Sequence, residues 1–181
     1  MVSPLRADVH GDMHGLIMGW LHDYRRFLPG IILSDNPILR TDEDNEPQPD
    51  AVLRLHPSRA GSSWLDDSGC LQGVPELVVE IAASSAHLDA GEKRDLYERI
   101  GVPEYILWRT LDDSIDWWSL VDGTYQPLPM DAEGVIRSDI FPGLWLHVPG
   151  MIQGNIRLTT GILEAGLASA EHKYFASRLN P

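Results

Sequence analysis

Apolar and polar residues follow each other along the chain in patterns that predict an alternation of helices and strands. Apolar residues recur at helical spacing from Met13 to Leu28, and Pro29-Gly30 ends this first helix. Two β-rich stretches follow at 31–33 and 37–40, and the segments 50–55 and 76–82 predict two further strands. The first half of the chain therefore predicts a helix followed by a group of strands.

The second half adds a helix from about Leu88 to Ile100, which Gly101 and Pro103 close. After it come a strand at "EYILW", a hairpin whose turn carries Asp122-Gly123, and a final strand at "FPGLWLHV". The tail from about 160 to 179 predicts one C-terminal helix, a candidate contact between the two copies of a homodimer. This order predicts an α/β fold around one sheet.

Length and composition predict one folded domain over residues 1–181, with its core at about 10–150 and a helical extension at about 158–181. A hydrophobic fraction of 43% and six Trp residues argue against a disordered chain. The apolar runs are too short to span a bilayer, and the N-terminus lacks an apolar signal region. With its single cysteine, Cys70, the chain predicts a cytoplasmic protein without a membrane partner.

The net charge of −13 restricts the partners that the chain can bind. An acidic surface repels phosphate groups. An enzyme of nucleic acids with this charge needs a local basic patch, bound divalent cations or a basic partner protein.

Glu80 lies in the middle of the apolar segment "VPELVVEIAASS". Alternation along a strand places Glu80 on the same face as Val78 and Ala82. Burial of an unpaired carboxylate costs several kcal/mol, so Glu80 requires a partner. Asp50 is a second carboxylate of this kind, because it opens a strand in which Val52 and Leu53 are predicted core residues.

Lys93 also breaks the pattern of its element. Leu96, Tyr97 and Ile100 form the apolar side of the helix 88–100, and Asp89 and Lys93 lie on that same side. The remaining charged residues of the helix are assigned to the opposite side, toward solvent: Glu92, Arg94, Asp95, Glu98 and Arg99. Lys93 is therefore predicted to point toward the sheet.

Two carboxylates and a lysine that face each other can perform metal-assisted hydrolysis. Asp and Glu supply the oxygen ligands that Mg²⁺ or Mn²⁺ prefers, and the ion activates a bound water for attack on a phosphodiester. A structural ion pair of Lys93 with Glu80 or Asp89 explains the same residue types equally well. Residue types alone leave both interpretations open.

Two histidines form a weaker candidate. His10 and His14 are spaced i, i+4 near the start of the first helix, which is compatible with metal binding. A helix-end pair without metal is the favoured interpretation, and His14 is retained as a supporting residue of the site. Neither a nucleophile elbow nor a glycine-rich phosphate loop is present in the sequence.

The segments "PQPDAVL" and "GVPELVVEIAASSAHLDAGEKRDLYERIGVPEYILW" resemble the Uma2 family, also called DUF820, of the PD-(D/E)XK nuclease superfamily. The family has a Pro-Asp strand, then a G-x-P-D-L-V-V-E strand. An Asp, a Lys and a Tyr follow at four-residue intervals, and then a G-V-x-E-Y segment. Here the Asp, Lys and Tyr positions are Asp89, Lys93 and Tyr97. The resemblance covers about residues 10–150 and is strongest at 47–108.

The resemblance implies a restriction-endonuclease-like αβββαβ core with a central mixed sheet, and an endonuclease that hydrolyses DNA with Mg²⁺ or Mn²⁺. It implies that Asp50 and Glu80 bind the metal together with the backbone carbonyl of Ile81. The superfamily usually carries its lysine two residues after the acid, where this chain has Ala82. The family places the lysine on the helix instead, which here is Lys93, with Asp89 and Tyr97 as supporting residues.

This chain departs from the family pattern at several framework positions, among them Trp108-Arg109 in place of a common Val-Asp. Two further hypotheses stay open beside the nuclease. The fold could be catalytically silent and serve as a binding or regulatory module, or it could be a nuclease subunit that obtains its DNA contacts from a basic partner.

Overall fold

The computed structural model describes residues 4–40, 46–82 and 86–179, and for residues 4–10 and 86–90 it describes the backbone alone. The first helix, α1, spans Pro4–Arg25, so it begins before the predicted start at Met13 and ends before Leu28. Leu28 N–H bonds back to the carbonyl of Arg25, and the chain then turns at Gly30, which has a φ of +98°. This positive φ favours glycine, so Gly30 completes the predicted turn, although the helix itself ends earlier, at Arg25.

The strands and remaining helices are, in chain order, β1 (Ile31–Asp35), β2 (Leu39–Arg40), β3 (Ala51–Leu55), β4 (Ser63–Leu65), β5 (Leu71–Gly73), β6 (Leu77–Ala82), α2 (Ala86–Ile100), β7 (Glu104–Arg109), β8 (Ser114–Val121), β9 (Thr124–Pro127), β10 (Val135–Arg137), β11 (Trp145–His147), α3 (Val148–Ile152), α4 (Ile156–Leu167) and α5 (Ala170–Leu179). A short 3₁₀ turn at Pro57–Arg59 follows β3.

Six strands form the central sheet in the order β1-β3-β6-β7-β8-β9. The β6–β7 pair is parallel and the other pairs are antiparallel, so the sheet is mixed, as predicted. Helix α2 connects the two parallel strands, as a crossover between parallel neighbours requires. Two smaller sheets, β2-β5-β4 and β10-β11, lie outside this sheet.

The central sheet is covered on both faces, which explains the continuous apolar character of β6. Val79 and Ile81 pack on one face with α1 and the C-terminal helices. Val78 packs on the other face with Tyr97 of α2 and Tyr105 of β7. Glu80 alternates with Val79 and Ile81, and therefore lies on the α2 face.

The C-terminal region differs from its prediction. The single helix expected over about 160–179 is two helices, because α4 ends at Leu167 and α5 begins at Ala170. The Ser169 hydroxyl accepts a hydrogen bond from His172 N–H, which satisfies a free donor in the first turn of α5. The predicted final strand is shorter, Trp145–His147, and its partner β10 was not predicted.

The outer side of α2 also differs from its prediction. Arg94 lies over the Trp118 ring, 5.7 Å from its centroid, and Glu98 accepts a hydrogen bond of 2.6 Å from Tyr125 N–H. Neither side chain is fully exposed, because the β8–β9 hairpin lies beside that part of α2. Glu92, Asp95 and Arg99 are exposed, as expected.

Candidate active site

Glu80 is the buried centre of the site. Its residue is 4% exposed, and each carboxylate oxygen accepts one hydrogen bond. Lys93 Nζ donates to Oε2 at 2.7 Å, and the Tyr97 hydroxyl donates to Oε1 at 2.8 Å. The structure therefore places beside Glu80 two of the helix residues that the spacing predicts to face the sheet.

Both donors come from α2, where Lys93 and Tyr97 are four residues apart and lie one above the other on the same side. Tyr97 is fully buried, whereas the Lys93 side chain is 42% exposed. Lys93 also lines an open cleft of about 390 Å³ with Glu92, Asp95, Leu96 and Arg99. The ammonium group of Lys93 thus connects the buried carboxylate with the surface.

Asp50 lies directly before β3 and extends the pairing of β3 with β6. The main-chain pairing ends at Ala51, opposite Val79. One residue further, Asp50 Oδ2 accepts a hydrogen bond of 2.6 Å from Ile81 N–H. Because the N–H and C=O of one strand residue face the same neighbouring strand, the Ile81 carbonyl is directed to the Asp50 side of β6.

Burial raises the pKa of Glu80 above its usual value, and the negative charge of Asp50 raises it further. Lys93 opposes this increase through its charge and its hydrogen bond, and Tyr97 opposes it through its own hydrogen bond. Burial, followed by the charge of Glu80, raises the pKa of Tyr97 far above its usual range. The Tyr97 hydroxyl is therefore a fixed donor to Glu80.

Asp50, Glu80 and the Ile81 carbonyl provide only oxygen donors, which is the ligand chemistry that Mg²⁺ and Mn²⁺ prefer. The mutual repulsion of the two carboxylates is a feature that a divalent cation relieves. In the described parts of the chain, no group of three or more His, Cys, Asp or Glu side chains is arranged to hold a metal ion. The residues fit such an ion as two carboxylates completed by a main-chain oxygen.

His14 lies at the edge of this site. Its Nε2 is 3.1 Å from Asp35 Oδ1 and 3.2 Å from the main-chain oxygen of Asp50. This position connects α1 with Asp50 and Asp35, and the supporting role of His14 stays a prediction. The side chains of His10 and Asp89 lie outside the described residues, so their predicted roles stay predictions.

Two other buried carboxylates were not singled out from the sequence. Glu76 accepts hydrogen bonds from the N–H groups of Leu55 and Ser62, and Glu104 is fully buried at the start of β7. Both precede or open an apolar strand, where a charged residue usually lies in solvent. Their burial in the folded structure alone distinguishes them from solvated carboxylates. Among the described contacts, neither of them touches the Glu80 carboxylate.

Comparisons with known proteins concern the family and the fold of the chain. The model of the Uma2 family, described as "Putative restriction endonuclease", matches residues 1–149. A crystal structure described as a putative nuclease belonging to DUF820, from Anabaena variabilis ATCC 29413, has a similar fold, with a TM-score of 0.59. Its sequence is 10% identical, and the match covers 80% of each chain.

At this identity the structural likeness concerns the fold, and it confirms the predicted α/β architecture. No match was found among curated proteins. In the described part of the chain, no helix has both the length and the apolar character that a membrane span requires. Because the family model covers well over half of the chain, the protein belongs to the Uma2 family.

Proposed function

We propose that the protein is a metal-dependent endonuclease that hydrolyses phosphodiester bonds of DNA. The observation that carries this proposal is the 2.7 Å contact between Lys93 Nζ and Glu80 Oε2. A lysine beside the acid is the group that this chemistry requires, and β6 itself carries Ala82 at the usual lysine position. Helix α2 supplies the cation instead.

In this proposal Asp50, Glu80 and the Ile81 carbonyl hold Mg²⁺ or Mn²⁺. When bound, the ion polarises the phosphodiester and lowers the pKa of a bound water. Lys93 orients the attacking water and stabilises negative charge on the phosphoryl oxygens. Tyr97 holds Glu80 in place through its hydroxyl group, and His14 supports the backbone of Asp50.

DNA is the proposed partner, although the protein carries a net charge of −13. Bound divalent cations and Lys93 offset the repulsion at the site itself. We also propose a homodimer, because a two-fold symmetric pair of sites matches the symmetry of a DNA duplex.

A plasmid-nicking assay in Mg²⁺ or Mn²⁺ tests the proposal. Glu80→Gln and Lys93→Ala should each lower the nicking rate by about 100-fold or more, as expected for loss of a metal ligand or of a group that acts on the water. The matched controls are Glu171→Gln and Lys173→Ala, which change exposed residues of α5 and should nick like the wild type. Equal rates for Lys93→Ala and Lys173→Ala would remove Lys93 from the mechanism.

A catalytically silent binding module is the second candidate, and one observation favours it. Both Glu80 oxygens already accept hydrogen bonds from within the chain, from Lys93 and Tyr97. The Lys93–Glu80 pair is therefore also satisfied as a purely structural ion pair. Calorimetric titration with Mn²⁺ separates the two functions. Binding heat in the wild type that is lost in Glu80→Gln supports the nuclease, whereas no heat at millimolar Mn²⁺ and no nicking support the silent module.

A further inference from the structure

Arg109 is a second cation at the edge of the sheet that carries the candidate active site. It ends β7 and pairs with Ala82 of β6. Trp108 packs on the α1 face and Leu107 on the α2 face, so alternation places Arg109 on the α2 face, as it does Glu80. Arg109 therefore shares both the face and the edge of the site.

The neighbouring strand ends at this edge carry no positive charge. They are Asp35 of β1, Ala51 of β3, Ala82 of β6 and Ser114 of β8. Of these strand ends, Arg109 alone is a cation, and it stands beside the position where β6 has Ala82. The sugar-phosphate backbone of a DNA strand that crosses this edge of the sheet meets Asp50 and Glu80 on one side and Arg109 on the other.

Two aspartates hold the Arg109 side chain in different ways. Nε donates to Asp116 Oδ2 at 2.9 Å, and Nη1 donates to Asp112 Oδ2 at 2.7 Å. Asp116 belongs to β8 and is fixed opposite Leu107, whereas Asp112 lies in the β7–β8 turn with its side chain 47% exposed. A guanidinium carries five N–H donors, so these two bonds leave three free for another acceptor.

We propose that Arg109 binds a DNA phosphate next to the scissile one, and that Asp112 is the anion which this phosphate displaces. The inference rests on the proposed nuclease function and adds a substrate contact to it. Asp116 lies on β8, two strands from β6, and neighbouring strands are about 5 Å apart, so the guanidinium that Asp116 holds is roughly 10 Å to the side of Glu80. This offset places Arg109 to one side of the carboxylates, where it can contact a phosphate other than the scissile one.

The exchange of Asp112 for a phosphate follows from charge and geometry. Arg109 with both aspartates is a cluster with an excess negative charge, which repels DNA as long as Asp112 remains bound. An exposed ion pair such as Arg109–Asp112 contributes little to stability. Asp112 accepts a single bond from Arg109, whereas a phosphate can accept two parallel bonds from the guanidinium, so the phosphate gains one bond in the exchange.

Fluorescence anisotropy of a labelled duplex, measured with Ca²⁺ in place of Mg²⁺ at several salt concentrations, tests this contact. Arg109→Ala should weaken DNA binding by about 5- to 10-fold and lower the slope of log K against log salt by about 1, the effect of one lost phosphate contact. The matched control is Arg137→Ala, because Arg137 also ends a strand and pairs with an aspartate, Asp131, at 2.6 Å. That variant should leave the slope unchanged.

Asp112→Asn should strengthen binding by about 3-fold or more beyond Asp113→Asn, which removes the same charge one residue away in the same turn. This gain should disappear when Arg109→Ala is added. A purely structural role of Asp112 predicts no such gain, and this comparison remains informative even if Arg109→Ala fails to fold.

The outcomes separate this inference from the proposed function. Wild-type nicking that depends on Glu80, combined with equal binding by Arg109→Ala and Arg137→Ala, overturns the Arg109 contact alone. Equal binding by Asp112→Asn and Asp113→Asn overturns the exchange. A wild-type protein that neither binds nor nicks DNA overturns both proposals.

Discussion

Glu80 shows at the scale of one residue how a charge is kept inside a covered sheet. Desolvation disfavours its carboxylate, whereas an ammonium group and a hydroxyl group each donate to one of its oxygens. Removal of either donor leaves a buried acceptor without a partner, which is more costly than the net stabilisation of an average hydrogen bond.

Tyr97→Phe tests this balance, since it removes one hydroxyl group and leaves the ring. We expect a loss of about 1–3 kcal/mol in the free energy of unfolding, because Glu80 Oε1 loses its donor. We also expect the nicking rate to fall by about 10-fold, because Glu80 is no longer fixed. Urea unfolding and the plasmid assay measure the two effects.

The matched control is Tyr125→Phe, whose hydroxyl donates to the Val102 carbonyl within the same aromatic cluster, away from Glu80. Tyr125→Phe should lose stability and nick at the wild-type rate. If both variants nick equally, Tyr97 has only a structural role.

The pairing of Glu80 with Lys93 could be predicted because the sequence shows both the two-residue period of a strand and the 3.6-residue period of a helix. The strand period identified an acid on a covered face, and the helix period identified a lysine on the side of Leu96 and Tyr97. Glu104 has no such contrast, because a carboxylate at the first position of a strand is ordinarily solvated. Its burial results from the loop that folds over it, which no local pattern encodes.

At the scale of elements, Glu104 ties β7 to the loop between β10 and β11. Its two oxygens accept four hydrogen bonds, from Trp117 Nε1, Ser138 Oγ and the N–H groups of Asp139 and Ile140. Burial raises its pKa to about 7, and these four donors oppose a further increase. The folded protein therefore holds a proton on Glu104 at pH values where the unfolded chain has released it.

This difference predicts that stability falls as the pH rises from about 4.5 to about 7. In that window the folded state binds more protons than the unfolded state, so the free energy of unfolding decreases with pH, by on the order of 3 kcal/mol for Glu104. Urea unfolding at several pH values measures the slope. Glu104→Gln should have a lower free energy of unfolding than the wild type, and this free energy should change less with pH in this window. A wild-type slope no steeper than that of Glu104→Gln would contradict the prediction.

Elements with their own local signals were predicted well, and those defined by distant contacts were not. The β8–β9 hairpin has positive φ values at Asp122 and Gly123, as its turn sequence indicates. The α4–α5 break has a weaker signal, since Ser169 is one polar residue in a helical pattern. The β10 strand is short, and its pairing with β11 joins residues about ten positions apart.

For the whole molecule, the C-terminal helices complete the core although they lie beyond the family match at residue 149. Leu163 of α4 and Leu179 of α5 are buried in the same cluster as Tyr24 of α1. Trp20 Nε1 also donates to the Trp145 carbonyl, which links α1 to β11. The predictions of one domain, a homodimer and a cytoplasmic location stay predictions.

Deletion of residues 155–181 should therefore destabilise the protein severely. Loss of each buried leucine lowers the free energy of unfolding by about 2–3 kcal/mol, and exposure of the apolar side of α1 lowers it further. The total free energy of unfolding of a domain is only about 5–15 kcal/mol. Circular dichroism and urea unfolding measure the loss. Tyr174→Ala, which changes a residue of α5 that is 68% exposed, is the control. A deleted protein as stable as this control would contradict the prediction.

The lysine of the site lies on α2 and not on β6. Its position beside Glu80 therefore depends on which side of the helix faces the sheet, and not on a fixed number of residues between the two. A lysine on β6 would keep its place only at a fixed distance from Glu80 in the sequence. Lys93 keeps its place as long as α2 presents the same side to the sheet, and each residue of an α-helix turns it by about 100°. One inserted residue between Lys93 and Leu96 would therefore rotate the lysine by about 100° away from the side on which Tyr97 faces Glu80, while leaving both residues in the chain.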